Sequence, residues 1–479
     1  MLRRMISRSC LKILTVVVLM MPVIAWAQPS GEQSGDAIDR LVQQFMTERG
    51  IPGAAVAVLE DGEVIKVQGY GLADLEHSAP VTTETVFQVA SLGKQFTAAA
   101  VLLLAEDGRL KLDDPISQHL EGTPPSWAAI TIRHLLNHTS GLPDYESLLW
   151  SASCLRRDYT ERDFVDVVAA VPLLFTPGTD WAYSNSGYMV LGAMVNEVAG
   201  VHWGEFLAER VFAKAGMATA QAASESKIIP NRARAYKLVG KEYANQRVTP
   251  FTFMATGDGA LYLSITDLVR WDQALRREEI LSADSLELWW TRARLDDGTE
   301  VGYGLGWEVT GDAEKMLVEH GGIFDGFHSY LIRYENPALT VAVLANIDLG
   351  WGREMAYERT LAYQIANLQR PELAERSPAK PVELARPLEA YAGEFLTPDG
   401  DKVVIEAVTH ALLVEGLSSE TVVYAPAGPD QFVNSGSGVV FANHLRFVPN
   451  ADGVIEAWLG HWVESPLLRL RRAAPEAGE

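Results

Sequence analysis

The chain has 479 residues, 48% of them hydrophobic, which is enough apolar material for two or three cored domains. Its formal net charge is −22. So acidic a surface excludes nucleic acid and anionic membrane surfaces as partners.

Residues 1–27 read as a secretory signal peptide. Arg3, Arg4, Arg8 and Lys12 precede an apolar core from Ile13 to Ile24, and Ala25-Trp26-Ala27 fits cleavage before Gln28. That core is short for a bilayer span; an uncleaved anchor is the alternative. The expected location is periplasmic or secreted, with no stable membrane insertion after cleavage. Without the four leader cations the mature chain stands at −26. Cys10 leaves with the leader, so Cys154 is alone and no intramolecular disulfide is available.

Asp36–Arg49 is an amphipathic helix, with Ile38, Leu41, Val42 and Phe45 on one face. Ala54–Val58 and Glu63–Val67 are strands joined by a hairpin turn at Asp61-Gly62. Next, Phe87 to Phe96 leads through Ser91 into an Ala/Leu-rich helix that stops at Gly108. Ser91 is expected at that helix's N-terminus, where free N–H groups favour developing negative charge. Lys94 lies three residues on, on the same face. A lysine made neutral by burial can take the proton of a serine hydroxyl. Ser-x-x-Lys also occurs at Ser9, Ser224 and Ser377, but only Ser91 opens a long apolar helix.

Thr131–Pro143 reads as a short helix capped by Thr131 and stopped at Gly141. His134 and His138 have zinc-ligand spacing, but Leu135 stands where a zincin pattern needs glutamate. They are expected to pin the helix and its exit loop, not a metal. Pro177-Gly178 turns the chain towards Tyr183 and Asn185, on a loop before an apolar helix over Met189–Val198. Residues 220–300 read as α-rich, with a helix over Thr266–Leu275 capped by Thr266. Strands follow over Tyr303–Val309, Lys315–Glu319, Phe327–Tyr334 and Leu339–Asn346, with His320-Gly321-Gly322-Ile323 between two of them. A glycine pair there permits close backbone approach to a ligand. Trp351–Leu368 closes the unit as a helix. Residues 369–387 hold Pro371, Pro378, Pro381 and Pro387 among charges and read as a linker. From 388 to 474 short β runs alternate with turns, an all-β barrel or sandwich.

Ser91-x-x-Lys94, Tyr183-x-Asn185 and His320-Gly321-Gly322 stand in one order over residues 36–368. In this the chain resembles the serine β-lactamase-like superfamily, nearest to class C β-lactamases, family VIII carboxylesterases and D-aminopeptidases. The resemblance implies an α/β (α+β) fold, an antiparallel sheet flanked by helices with an all-helical subdomain, over residues 28–368. It implies no cofactor and no metal. It implies that Ser91 is an acylated nucleophile, that Lys94 and Tyr183 carry its proton, and that Asn185 and the His320–Ile323 strand bind substrate. The oxyanion would rest on the N–H groups of Ser91 and Ile323. The 388–474 module is similar to lipocalin-like C-terminal domains found beside such hydrolases.

One departure matters. Penicillin-recognising relatives carry Lys-Thr-Gly where this chain has His320-Gly321-Gly322. The lost charge and hydroxyl normally hold a carboxylate, so weak β-lactam turnover is expected, with an ester or small peptide or amide as substrate. The alternatives are a β-lactamase or D,D-peptidase acting on cell-wall peptides, and a non-catalytic binding or sensor protein on the same scaffold.

Overall fold

The computed structural model describes residues 37–145, 159–224, 226–246, 256–311, 316–349, 357–376, 384–397, 400–408, 411–415, 422–428, 431–433, 444–449, 455–460 and 466–472. The leader, Cys154 and the first part of the Trp351–Leu368 helix lie outside them.

The chain starts with α1 (Ala37–Arg49), β1 (Gly53–Glu60) and β2 (Glu63–Asp74). Asp61 and Gly62 both have positive φ, 52° and 79°, the conformation a two-residue hairpin turn requires. Then come β3 (Ala79–Pro80), β4 (Val86–Gln88), a 3-10 turn (Ala90–Gly93) and α2 (Lys94–Glu106). A helical region follows: α3 (Ile132–Leu136), α4 (Glu161–Ala169), α5 (Asn185–Ala199) and α6 (Trp203–Leu207). Residues 220–300 are less helical than expected. They add β5 (Gln221–Ala222), β6 (Tyr236–Val239), β7 (Glu242–Asn245) and β8 (Leu261–Ser264) before α7 (Ile265–Arg276) and α8 (Ala283–Trp289). The helix α7 is capped by Ser264, whose hydroxyl accepts from Asp267 N. Thr266 instead donates to Thr83 O and to Glu84.

The strands β9 (Glu308–Thr310), β10 (Leu317–Phe324), β11 (Phe327–Tyr334), β12 (Leu339–Ala345) and β13 (Ile347–Asp348) lead to α9 (Tyr357–Gln369). The expected strand from Tyr303 shrinks to β9 because Gly306, at φ 85°, breaks the extended run. The main sheet runs β3-β2-β1-β12-β11-β10-β9, with every pair antiparallel.

Both faces of this sheet are covered, so β1 and β12 read as continuous apolar runs. Successive side chains point to opposite faces. Ala54, Val56 and Val58 join Val341 and Val343 under α1 and α9, packing with Val42, Phe45, Leu361 and Ile365. Ala55, Ala57 and Leu59 join Ala342 and Leu344 on the other face, in the core that holds α2 and α5.

The C-terminal module is a closed eight-stranded antiparallel barrel, β14 (Gly393–Leu396), β15 (Lys402–Val408), β16 (Ala411–Glu415), β17 (Val422–Gly428), β18 (Gln431–Val433), β19 (His444–Pro449), β20 (Ile455–Gly460) and β21 (Pro466–Arg472). The pairing of β14 with β21 closes it. Its core includes Tyr391, Phe395, Val403, Leu412, Phe447 and Leu470. Of the two architectures the alternating runs allowed, the barrel is the one formed, and closure removes the sheet edges.

Candidate active site

Ser91 lies in the 3-10 turn ahead of α2, one step earlier than a helix N-terminus, and Lys94 is the first residue of α2. The 3-10 geometry has three residues per turn, so side chains at i and i+3 eclipse. Lys94 Nζ lies 3.0 Å from Ser91 Oγ. The same Nζ donates to Asn185 Oδ1 at 2.7 Å and to the main-chain oxygen of Asp258 at 2.7 Å. Both of those oxygens can only accept. Two N–H bonds are thereby directed away from Ser91. The remaining position on Nζ faces Ser91 Oγ: it is an N–H in the ammonium and a lone pair in the amine. Lys94 is fully buried.

The turn is clamped from both sides. A Cβ on Gly322 would lie 2.1 Å from Val89 O and 2.9 Å from Leu92 N, and one on Gly259 would lie 2.4 Å from Ala90 O and 2.9 Å from Ser91 N. Ser329 Oγ donates to Val89 O at 2.6 Å, and Val89 N bonds Leu261 O. Ala90 is held at φ 48°, a left-handed conformation that is strained for alanine. Such strain persists only where the surroundings over-determine it. The His320–Ile323 segment is therefore part of β10, not a connection between strands, and the space freed at Gly322 holds the serine turn. Gly321 leaves room for the Tyr330 ring, which a Cβ would meet at 2.8 Å. Gly322→Ala is expected to cost about 1–3 kcal/mol by overpacking and to slow acylation; a melting scan and single-turnover kinetics check it.

Tyr183 precedes the Ser184 cap of α5, and its phenol lies close enough to Ser91 for the serine side chain to act on its pKa. Asn185 is not on a loop but is the first residue of α5. Asp144 accepts from Asn185 N at 2.8 Å, which fixes the side chain that bonds Lys94. Burial raises the pKa of Tyr183 well above its ordinary 10, and the Ser91 side chain only partly offsets this. The phenol is protonated at neutral pH.

An aromatic cradle holds Tyr183. The His138 ring lies 4.3 Å from it, centroid to centroid, and Tyr303 meets it edge-on at 6.3 Å. His138 Nδ1 accepts from Ser184 N, so Nε2 carries the proton. Burial first, then Lys94 and His320, push its pKa well down. His134 caps α3 through Thr131 N. Both histidines thus pin backbone, as expected. The helix α3, however, ends at Asn137 rather than near Gly141, with Tyr188 donating to the Leu136 carbonyl at 2.5 Å.

His320 Nδ1 donates to Gly321 O at 2.6 Å, and its Nε2 accepts from Tyr303 at 2.9 Å. Burial and the nearby Lys94 lower its pKa to about 3, so it is neutral. It supplies no permanent positive charge.

A cavity of about 30 Å³ opens at Ser91, lined also by Gln88, Tyr145, Asn185, Asp258, Ile323 and Phe324. The strand β10 is paired to β9 only over Leu317–Glu319, so the sheet leaves Ile323 on an open edge among the described residues. A larger groove of about 690 Å³ between α1 and β2 holds Asp39, Tyr70 and Tyr243 but no nucleophile beside an amine. Sequence reasoning missed Asp258, Gly259, Ser329 and Tyr303. The only local sign was the Gly257-Asp258-Gly259 triplet, which breaks an otherwise apolar approach to β8.

Fold and chemistry together define a serine hydrolase. The chain belongs to the Beta-lactamase family, whose family model matches residues 38–365. It is similar to penicillin-binding protein 4* of Bacillus subtilis (strain 168), at 29% identity over 75% of this chain and 83% of that protein. It is 30% identical to a D-aminopeptidase of Gluconobacter oxydans (strain 621H), over 70% of this chain but only 62% of that protein's length. Among solved structures, a D-amino acid amidase from Ochrobactrum anthropi SV3 superposes with a TM-score of 0.60 at 25% identity, covering 71% of this chain and 99% of the amidase.

Proposed function

We propose that the protein hydrolyses a small ester, peptide or amide through an acyl-enzyme on Ser91. The observation that carries this is Lys94 Nζ, buried and 3.0 Å from Ser91 Oγ, with its other two bonds taken by Asn185 and Asp258. In the amine form the lone pair can point only at the serine hydroxyl. Lys94 then takes the Ser91 proton as Oγ attacks the carbonyl carbon. The N–H groups of Ser91 and Ile323, both at the cavity, are the oxyanion donors; each such donor is typically worth ~3 kcal/mol in the transition state. Tyr183, protonated, passes its proton to the leaving group; when water attacks the acyl-enzyme, Tyr183 takes a proton from that water and Lys94 returns the one it holds to Ser91 Oγ as the acyl bond breaks. Asn185 Nδ2 is the donor offered to the substrate.

The neutral His320 weighs against β-lactam or D,D-peptidase substrates, whose carboxylate needs a cation. The names of the relatives, a D-aminopeptidase and a D-amino acid amidase, support an amide with a small acyl part. Among the described residues no helix is long and apolar enough to cross a membrane. The basic-then-apolar leader supports an exported enzyme, with residues 28–368 as the hydrolase, 369–387 as the linker and 388–474 as the barrel domain.

A fluorophosphonate probe tests the nucleophile. It is expected to label wild-type protein at Ser91, and Ser91→Ala is expected to abolish labelling and turnover of p-nitrophenyl esters. Retained labelling in the variant would refute the assignment.

A further inference from the structure

We infer that the Asp258 carboxylate is the subsite for a protonated amino group on the substrate, so that the acyl group delivered to Ser91 is an amino-acyl group with a free α-amine. This deepens the proposed function and rests on Ser91 being the nucleophile.

Asp258 is 8% exposed and lines the same cavity as Ser91. Its Oδ2 accepts from the Tyr145 hydroxyl at 2.8 Å, and its Oδ1 accepts from the Thr256 hydroxyl. Both partners are neutral. Among the described residues, no lysine, arginine or histidine nitrogen forms an ion pair with this carboxylate within 4.0 Å. Lys94 bonds the main-chain oxygen of Asp258. An ionised carboxylate has about four acceptor positions, and the two hydroxyls fill only two of them. A charge this buried is costly unless a cation joins it. The hydroxyls hold the two oxygens in place, so the site is already oriented for such a cation.

The position is also right. The main chain of Asp258 touches the amine that lies against Ser91, and Asp258 lines the cavity that opens at Ser91. In an amino-acyl substrate the α-nitrogen is two bonds from the carbonyl carbon under attack. A cavity of about 30 Å³ holds a group the size of an ammonium. The neutral His320 places no cation there to compete with a substrate ammonium for the Asp258 carboxylate.

The test compares kcat/KM of the full-length protein on alanine p-nitroanilide, in both enantiomers, with N-acetylalanine and propionyl p-nitroanilides. The wild type is expected to prefer one free-amine enantiomer by ~30-fold or more, in the range of a buried charge pair. Asp258→Asn is expected to bring that ratio to within about threefold of unity, and Asp258→Glu to retain part of it. A wild type with no free-amine preference overturns the inference without needing any variant. An Asp258→Asn protein that slows all substrates equally overturns it too, because the carboxylate would then act only through Tyr145 and Lys94. Fluorophosphonate labelling is read separately. If the wild type is not labelled, the nucleophile reading fails; if it is labelled but shows no amine preference, the subsite alone fails.

Discussion

Lys94→Met is expected to lower kcat by on the order of 10⁴-fold, comparable to losing the base of other serine hydrolases. Methionine keeps most of the volume of the buried stem and removes only the nitrogen. That nitrogen makes all three contacts that organise the site, to Ser91, Asn185 and Asp258. Without it Ser91 has only Tyr183 nearby, and that phenol is too weak a base. Burial raises its pKa further, so it holds its own proton throughout the neutral range. Stopped-flow acylation with a p-nitrophenyl ester measures the effect directly. A residual rate within tenfold of wild type would mean that the working base is elsewhere.

Tyr183→Phe should separate two substrate classes. An amide nitrogen cannot leave without a proton, whereas p-nitrophenolate leaves without one. If Tyr183 is the acid, the variant loses ~10²–10⁴-fold on amides and less than about tenfold on p-nitrophenyl ester acylation. Equal losses on both would instead make Tyr183 a positioning group for Ser91. The cradle of His138 and Tyr303 also packs a phenylalanine ring, so the fold is expected to survive. Because the phenol stays protonated well above pH 10, neither protein should show a basic limb from this group below that pH.

Much of this was readable in the chain. The apolar helix after Ser91, the Asp61-Gly62 turn and the Pro/Gly-punctuated β runs after residue 388 are local patterns, and each formed the element it announced. One boundary moved for a local reason, Gly306 at the start of β9; at two others a distant partner is involved. The expected cap at Thr266 passed to Ser264 because Thr266 found Thr83 and Glu84. The helix at Thr131 stopped early where His138 turns left-handed, at φ 65°, and Tyr188 satisfies the Leu136 carbonyl left open there.

The sequence by itself determined which groups could do the chemistry: a serine, an amine one turn on, a phenol and an amide from a later segment, and a histidine followed by two glycines. Spacing along a single turn is enough to place Lys94 beside Ser91, because 3-10 geometry acts over three residues. Only the tertiary structure decided what faces them. Gly259, in the turn before β8, and Gly322, on β10, grip the serine turn from places far apart in the chain, Asn185 and the Asp258 carbonyl direct the lone pair of Lys94, and Asp258 lines the cavity. These contacts join residues more than 90 positions apart, through close packing and hydrogen bonds that leave no periodic signal in the chain.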